Sequence, residues 1–228
     1  MTSPIRPTKR LRACAGLSAF AALALLGCSS SNSMDWEQAY HALRTALDSD
    51  ASAITLQQAA AVPYATMGVR IGGGPEQMVV LAGTEKNTLL WTSAARIALE
   101  TRNGRIVSSS GFQYNLDTTT FRSDDRLPTI TNTRLAVSTS RSVDFPDQNL
   151  YSVALDCDMS VMGEESISIL GADIPAIRVE EHCHSSQLDW NFTNTFWLGR
   201  SSGFVWRSIQ FIHPKLPAID TEILRPSG

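Results

Sequence analysis

Long apolar runs are what this chain of 228 residues lacks. A membrane-spanning helix needs roughly 20 consecutive apolar residues, and the longest such stretch, Ala13 to Leu26, falls short of that. No later run approaches it, so a bundle of membrane helices is excluded. Phosphate-loop chemistry is missing as well. Gly72-Gly73-Gly74 has neither the Lys nor the Ser/Thr that a nucleotide loop requires. The serines fall in polar strands and turns, and none is read as a nucleophile. A basic surface is also absent, which argues against nucleic acid as a partner.

Acidic residues are absent from the chain before Asp35, whereas Arg6, Lys9, Arg10 and Arg12 stand near its start. The apolar Ala/Leu-rich stretch follows and ends in Leu25-Leu26-Gly27-Cys28. Basic start, short apolar run and small-residue end form the layout of a secretory signal peptide. The Leu-Leu-Gly-Cys ending resembles a bacterial lipobox, cut before a cysteine that is then lipidated. Residues 1–27 are therefore expected to be removed, with Cys28 lipidated through its thiol and its new amine. Two or more acyl chains anchor stably where one does not. Ser29, in the position where sorted lipoproteins of the inner membrane carry Asp, favours the outer membrane.

The whole chain has 19 basic and 22 acidic residues; four of the basic ones precede Cys28, leaving 15 against 22, a net charge of about −7. That suits an acidic, periplasm-facing body. Beyond Cys14 and Cys28, the cysteines are Cys157 and Cys183. Two thiols in an oxidising compartment suggest one disulfide. Two separately buried thiols are the competing reading. With one strand of a meander between them, they would lie too far apart to bond.

Ser29 to Ser33 reads as a polar tether within residues 28–33. Residues 34–228 are expected to form a single mostly-β domain. Its first element is an amphipathic helix from Met34 to Leu47, with Trp36, Ala39, Tyr40, Leu43 and Leu47 on one stripe. A short second helix is expected from Leu56 to Ala61, stopped by Pro63. From Ala65 the pattern turns to short strands with Gly-rich turns. Expected strands are Ala65–Ile71, Gln77–Ala82, Thr88–Thr92, Ile97–Arg102, Arg105–Ser109, Tyr151–Val161, Ser166–Leu170, Ala176–His184, Leu188–Leu198, Phe204–His213 and Ile219–Leu224. Asn103-Gly104 is the strongest hairpin signal. Residues 115–140 are polar and ambiguous, with a loop expected at Asp124 to Pro128. The fold class is thus mainly β, an antiparallel β-sandwich or a barrel-like body.

Glu180, His182 and His184 share one strand face, and a His-x-His pair beside a carboxylate is a zinc donor set. Without a third distant ligand the bland reading, a solvated strand face, prevails; His213 is the candidate to complete such a set. No metal, cofactor or catalytic residue is therefore assigned, and the chain is read as not an enzyme. Asp156/Asp158 and Glu164/Glu165 are carboxylate pairs of a kind that strand faces and turns produce routinely. Aromatics gather near the C-terminus. Trp190, Phe192 and Phe196 share strand parity, while Trp197 faces the other way. Trp190, Trp197 and Trp206 are the candidate sugar-stacking residues, against the alternative that they supply core area.

Several ordered motifs then carry a resemblance: Ala61-Val62-Pro63-Tyr64-Ala65-Thr66-Met67, Trp91-Thr92-Ser93-Ala94, Thr101-Arg102-Asn103-Gly104-Arg105-Ile106-Val107, Trp190-Asn191-Phe192-Thr193-Asn194-Thr195-Phe196-Trp197, and Ser202-Gly203-Phe204-Val205-Trp206-Arg207-Ser208. In order and spacing they resemble the YjbF/GfcB family of polysaccharide-associated lipoproteins, over about Ile54 to Pro226. The resemblance implies a mostly β outer-membrane lipoprotein tied to group 4 capsule or exopolysaccharide operons. It further implies an accessory role in assembly or export beside periplasmic and outer-membrane β-barrel partners, with polysaccharide itself a further partner to test. The Cys157/Cys183 pair and Leu198-Gly199-Arg200 depart from the family pattern.

Overall fold

The structure, a computed structural model, describes residues 53–122, 127 and 137–227. The expected signal peptide, Cys28, the polar tether and the Met34–Leu47 helix lie outside the described residues. So does the expected loop at Asp124 to Pro128, apart from Leu127.

The first described element is a one-and-a-half-turn helix, α1 (Leu56–Ala61). Thr55 caps it, because the Thr55 hydroxyl accepts from Gln58 N–H while the Gln58 side chain accepts from Thr55 N–H. This reciprocal box satisfies two donors that a helix start leaves open. Ala59 and Val62 then bury against Met78 and Val80. Arg225 donates to Val62 O at 2.7 Å, fixing the exit of the helix.

Twelve strands follow: β1 (Thr66–Ile71), β2 (Gln77–Glu85), β3 (Thr88–Thr92), β4 (Ala98–Arg102), β5 (Arg105–Ser110), β6 (Thr118–Phe121), β7 (Val137–Phe145), β8 (Leu150–Ile169), β9 (Ala172–Ser185), β10 (Trp190–Gly199), β11 (Val205–Gln210) and β12 (Ile219–Arg225). They form one sheet in the order β5-β4-β3-β2-β1-β12-β11-β10-β9-β8-β7-β6. Every pairing is antiparallel, and β12 returns to β1 with Val69 opposite Thr221. Of the two expected forms, sandwich or barrel-like, the chain takes the second, because that return makes one continuous and nearly closed sheet. The seam lies between β5 and the segment leading into β6. There Ser109 N–H donates to Leu116 O at 2.7 Å, and Leu116 N–H donates to Ser109 Oγ at 2.9 Å.

Asn103 and Gly104 both take positive φ, +52° and +78°, as a two-residue hairpin of this twist requires. Gly104 has a second reason to lack a side chain, since a Cβ there would run into Val205 of β11. The β4–β5 turn thus closes tightly over the end of β11.

Two expected strands, Tyr151–Val161 and Ser166–Leu170, prove to be one. β8 runs through both, with a register shift between Val161 and Gly163 where it pairs β9. A bulge inserts one residue, so the odd-numbered positions that face the interior before it face outward after it. Before it, Leu155, Cys157 and Met159 face the barrel interior; beyond it, Ile167 and Ile169 join a separate cluster with Ala176 and Trp197. The end of the β8–β9 hairpin therefore packs as an arm on the outer face of β10, against Trp206, Ile209 and Leu224 as well. β6 and β7 fall in or beside the stretch that the sequence leaves ambiguous. The inward positions of β7 include Thr139 and Arg141 beside Val143 and Phe145. Polar groups on the buried face erase the alternation that marks a half-buried strand.

Candidate functional site

The barrel interior is polar at its middle. Glu181 of β9 is fully buried and lies between two buried arginines, Arg105 and Arg141. Arg141 Nη1 donates to Oε1 at 2.9 Å and Nη2 to Oε2 at 3.1 Å, while Arg105 Nη1 reaches Oε2 at 2.6 Å. Asn194 Nδ2 adds a fourth bond at 2.8 Å. Burial alone pushes the Glu181 carboxyl up, but the two guanidinium charges and their hydrogen bonds outweigh it and hold the pKa at about 2. The group is a permanent anion committed to its arginines and has no proton to exchange near neutral pH. Its arrangement is that of a buried strut between β5, β7 and β9.

Cys157 and Cys183 stand directly opposite each other on β8 and β9 and form a disulfide, with Cα atoms 4.1 Å apart. The sequence reading places a separate strand at Ser166–Leu170 between them. The hairpin has no such strand, because β8 is continuous through the bulge, so the two cysteines are immediate cross-strand neighbours. Among the described residues, one group of potential metal donors converges, Cys157 with Glu181 and Cys183. Its sulfurs are bonded to each other and its carboxylate to the arginines, so it does not offer a ligand set.

Glu180, His182 and His184 do share the outward face of β9, as strand parity predicts. His213 does not join them. It is buried after β11, stacked on Tyr114 at 5.1 Å and edge-on to Phe145 at 4.6 Å. Burial lowers its pKa, with Asp147 opposing and Lys215 assisting that shift. His213, the residue that could have completed a zinc set with them, therefore lies elsewhere in the fold.

The three candidate stacking tryptophans are split between faces. Trp190 points into the barrel, stacked on Phe192 with ring centroids 4.0 Å apart and edge-on to Phe145. Trp197 lies on the outer face but beneath the β8–β9 arm, and its indole N–H donates to Glu165. Trp206 packs into the same outer cluster, edge-on to Phe204 at 5.0 Å. Only Trp197 and Trp206 come together, and they do so in packing. An exposed platform of three rings, the basis of the stacking expectation, is not formed.

The β10–β11 hairpin spells Gly199-Arg200-Ser201-Ser202-Gly203, the Gly-x-Ser-x-Gly pattern of a nucleophile elbow. An elbow needs a strand-to-helix turn, whereas here both flanks are strands, with Gly203 N–H donating to Gly199 O at 2.8 Å. The pattern is a hairpin turn.

What the register does assemble is a polar surface across β7 to β10. One row reads Ser138, Asp158, His182, Thr193, each directly opposite the next. The neighbouring row reads Ser140, Asp156, His184, Asn191. Between them run Thr139, Cys157, Cys183 and Phe192, which turn their side chains inward. The result is an open trough of about 830 Å3, walled by the two rows and floored by the backbone of the middle one. Ser138 Oγ donates to Asp158 at 2.6 Å, His182 Nδ1 meets Thr193 Oγ1 at 2.8 Å, and His184 Nδ1 meets Asn191 Oδ1 at 2.9 Å. The doublets Asp156-x-Asp158 and His182-x-His184 are visible in sequence; that they align into one surface depends on a register that sequence does not carry. A second cavity, about 450 Å3 and free of charged side chains among the described residues, opens between Leu89, Trp91, Phe204 and Ile223.

Comparison with known proteins gives a consistent picture. Residues 22–224 match the family model described as group 4 capsule polysaccharide lipoprotein gfcB, YjbF. The chain is 27% identical to the uncharacterized lipoprotein GfcB of Escherichia coli K12 over 208 residues, covering 90% of this chain and 95% of that protein. It is also similar to the crystal structure of the hypothetical lipoprotein YmcC from Escherichia coli K12, with a TM-score of 0.69 and 26% identity, over 77% of this chain and 90% of that one. With its family match spanning nearly all of the β body and the Cys28 segment before it, the chain belongs to the YjbF family of group 4 capsule polysaccharide lipoproteins.

Proposed function

We propose that the chain is a non-catalytic outer-membrane lipoprotein, anchored through Cys28, that serves as an accessory in capsule or exopolysaccharide assembly or export. The observation that carries this reading is the family match over residues 22–224, which takes in both the lipobox-like Leu25–Cys28 and the β body. The anchor has a physical basis of its own. A basic start, a short apolar run and a small residue before cysteine serve export and lipidation, and an acylated cysteine holds a charged domain on a bilayer. The body is suited to binding rather than turnover. The one strongly shifted carboxyl among the described residues, Glu181, is consumed by Arg105 and Arg141 inside the barrel. Its open surface offers a groove of fixed polar groups. Partners in this role are other envelope proteins of a polysaccharide secretion system and the polysaccharide itself.

The test is genetic and biochemical. Deleting the gene in cells that make a surface polysaccharide is expected to reduce its surface amount, with restoration by the wild-type gene. Complementation with Cys28→Ala is expected to leave the protein unlipidated and out of the outer-membrane fraction, and to fail to restore export. Unchanged surface polysaccharide after clean deletion overturns the accessory role. Unchanged fractionation and lipid labelling of the Cys28→Ala protein overturns the anchor.

A further inference from the structure

We propose that the trough across β7 to β10 binds an extended, uncharged segment of glycan, lying at right angles to the strands. This inference rests on the polysaccharide role proposed above and gives it a site.

The dimensions come from the sheet. The two polar rows are set by residues two apart on each strand, so they stand about 7 Å from each other. The rows cross four strands, a length of about 14 Å, enough for about three sugar rings in line. A row of donors and acceptors of that length suits several linked rings rather than a single monosaccharide.

The chemistry of the walls narrows the class of ligand. Their side chains are Ser, Thr, Asn, Asp and His, all short and all able to hydrogen-bond. No Lys or Arg stands in either row, so nothing in the trough attracts a uronic acid, a phosphate or a sulfate. Asp156 has no hydrogen-bond partner among the described residues, and Asp158 is engaged by Ser138 through one oxygen. Both carboxylates are thus open to sugar hydroxyls, and a hydroxyl bonded to a carboxylate makes one of the stronger neutral-to-charged hydrogen bonds. The imidazoles of His182 and His184 are held at Nδ1 by Thr193 and Asn191, which leaves Nε2 of His184 free for a second hydroxyl.

The trough is also built before any ligand arrives. The Cys157–Cys183 bond lies in its floor and ties the two central strands together, fixing the register that brings Asp156 beside His184 and Asp158 beside His182. The side chains in the walls are short or tethered, so little conformational entropy is lost on binding. A divalent cation is the other ligand that two aspartates and two histidines bring to mind. Their donor atoms do not converge, however: among the described residues the sole converging group is the one around the disulfide.

The experiment uses the full-length lipoprotein in detergent and the surface polysaccharide purified from the same cells. The polysaccharide is hydrolysed to short oligosaccharides and separated into neutral and acidic fractions. Binding is read by calorimetry for wild type, for the near-isosteric double variant Asp156→Asn/Asp158→Asn, for His184→Ala, and for Trp206→Phe as a control on another surface. Circular dichroism and thermal melting check that each variant is folded. The expected result is saturable binding of the neutral fraction, weakened at least tenfold by the double variant and by His184→Ala and unchanged by Trp206→Phe. Three results overturn the site. One is a folded wild type that binds no neutral oligosaccharide. Another is binding that the trough variants leave untouched. The third is preference for the acidic fraction, or for zinc chloride in its place. If binding fails while deletion still lowers surface polysaccharide, the site falls and the accessory role stands. If deletion changes nothing, the role itself falls.

Discussion

Arg141 grips both oxygens of Glu181 inside the barrel, at 2.9 and 3.1 Å, and the same carboxylate takes Arg105 at 2.6 Å. The Nε and Nη2 atoms of Arg105 are buried with no hydrogen-bond partner among the described residues, so Glu181 is its one carboxylate. Removing one member of a buried ion pair leaves an uncompensated charge, at a cost of roughly 3–5 kcal/mol. Glu181→Ala is therefore expected to lower the unfolding free energy by about that amount, read as a lower urea midpoint with little change in slope. A midpoint within error of wild type would show that the strut contributes nothing.

Glu181 and His213 both lose stabilisation in acid, in separate windows. The folded pKa of Glu181 is depressed to about 2. Its contribution is complete above the ordinary carboxylate pKa and is lost as pH falls from there through about 2. His213 is also depressed in the folded state, by burial. Its Nδ1 accepts from Lys215 N–H at 3.0 Å, which requires that nitrogen to be unprotonated. The unfolded chain then takes up a proton first, so stability falls as pH drops below the ordinary histidine value of about 6.5. Melting temperature against pH is expected to show a shallow loss beginning near that value and a steeper one below about 4.5. Glu181→Gln removes the second loss, and His213→Phe removes the first. If both variants keep the wild-type profile, other groups govern acid sensitivity.

How much of this was legible beforehand depends on what each element answers to. α1 and the Asn103-Gly104 turn follow local rules, capping and positive φ, and both appear where the sequence places them. Most strands show period-two alternation and were readable. β7 was not, because Thr139 and Arg141 occupy its buried face to meet partners far away in sequence. The continuity of β8 was hidden for a related reason. Around its bulge at Val161/Gly163 the alternation gives way to an exposed run from Met162 to Ser166, so one strand reads as two. The trough was legible only in pieces. Its Asp and His doublets are local, while their alignment is a property of register across four strands.

That register makes the disulfide testable. Cys157 and Cys183 are 26 residues apart, and closing a loop of that size restricts the unfolded chain by roughly 3 kcal/mol. Cys157→Ser/Cys183→Ser is expected to lose about that much stability. Faster amide exchange should appear in β8 and β9 near the bulge, where pairing is already interrupted. Wild type treated with reductant under native conditions is expected to show the same exchange pattern. If removal of the bond leaves both stability and exchange unchanged, the cross-strand ladder alone fixes the register.

The seam supplies the last prediction. β5 is an edge strand, and exposed edges template pairing with other chains. Here the edge is covered from within: Gln210 of β11 accepts from Ile106 N–H at 3.0 Å and donates to Gly104 O at 2.9 Å. The side chain is itself buried and braced by Ser208 Oγ at 2.7 Å. Gln210→Leu keeps most of the volume but strips both backbone groups of their partner, at a cost of roughly 1–3 kcal/mol. Ile106 N–H and Gly104 C=O would then seek partners outside the barrel. The variant is expected to be less stable and to form dimers or larger species as its concentration rises, seen by light scattering after size-exclusion chromatography. Gln210→Glu retains an acceptor for Ile106 and loses the donor to Gly104, so it should fall between wild type and the leucine variant. A leucine variant that is destabilised yet stays monomeric at every concentration would mean that the bond at Ser109 and Leu116 closes the seam without help from Gln210.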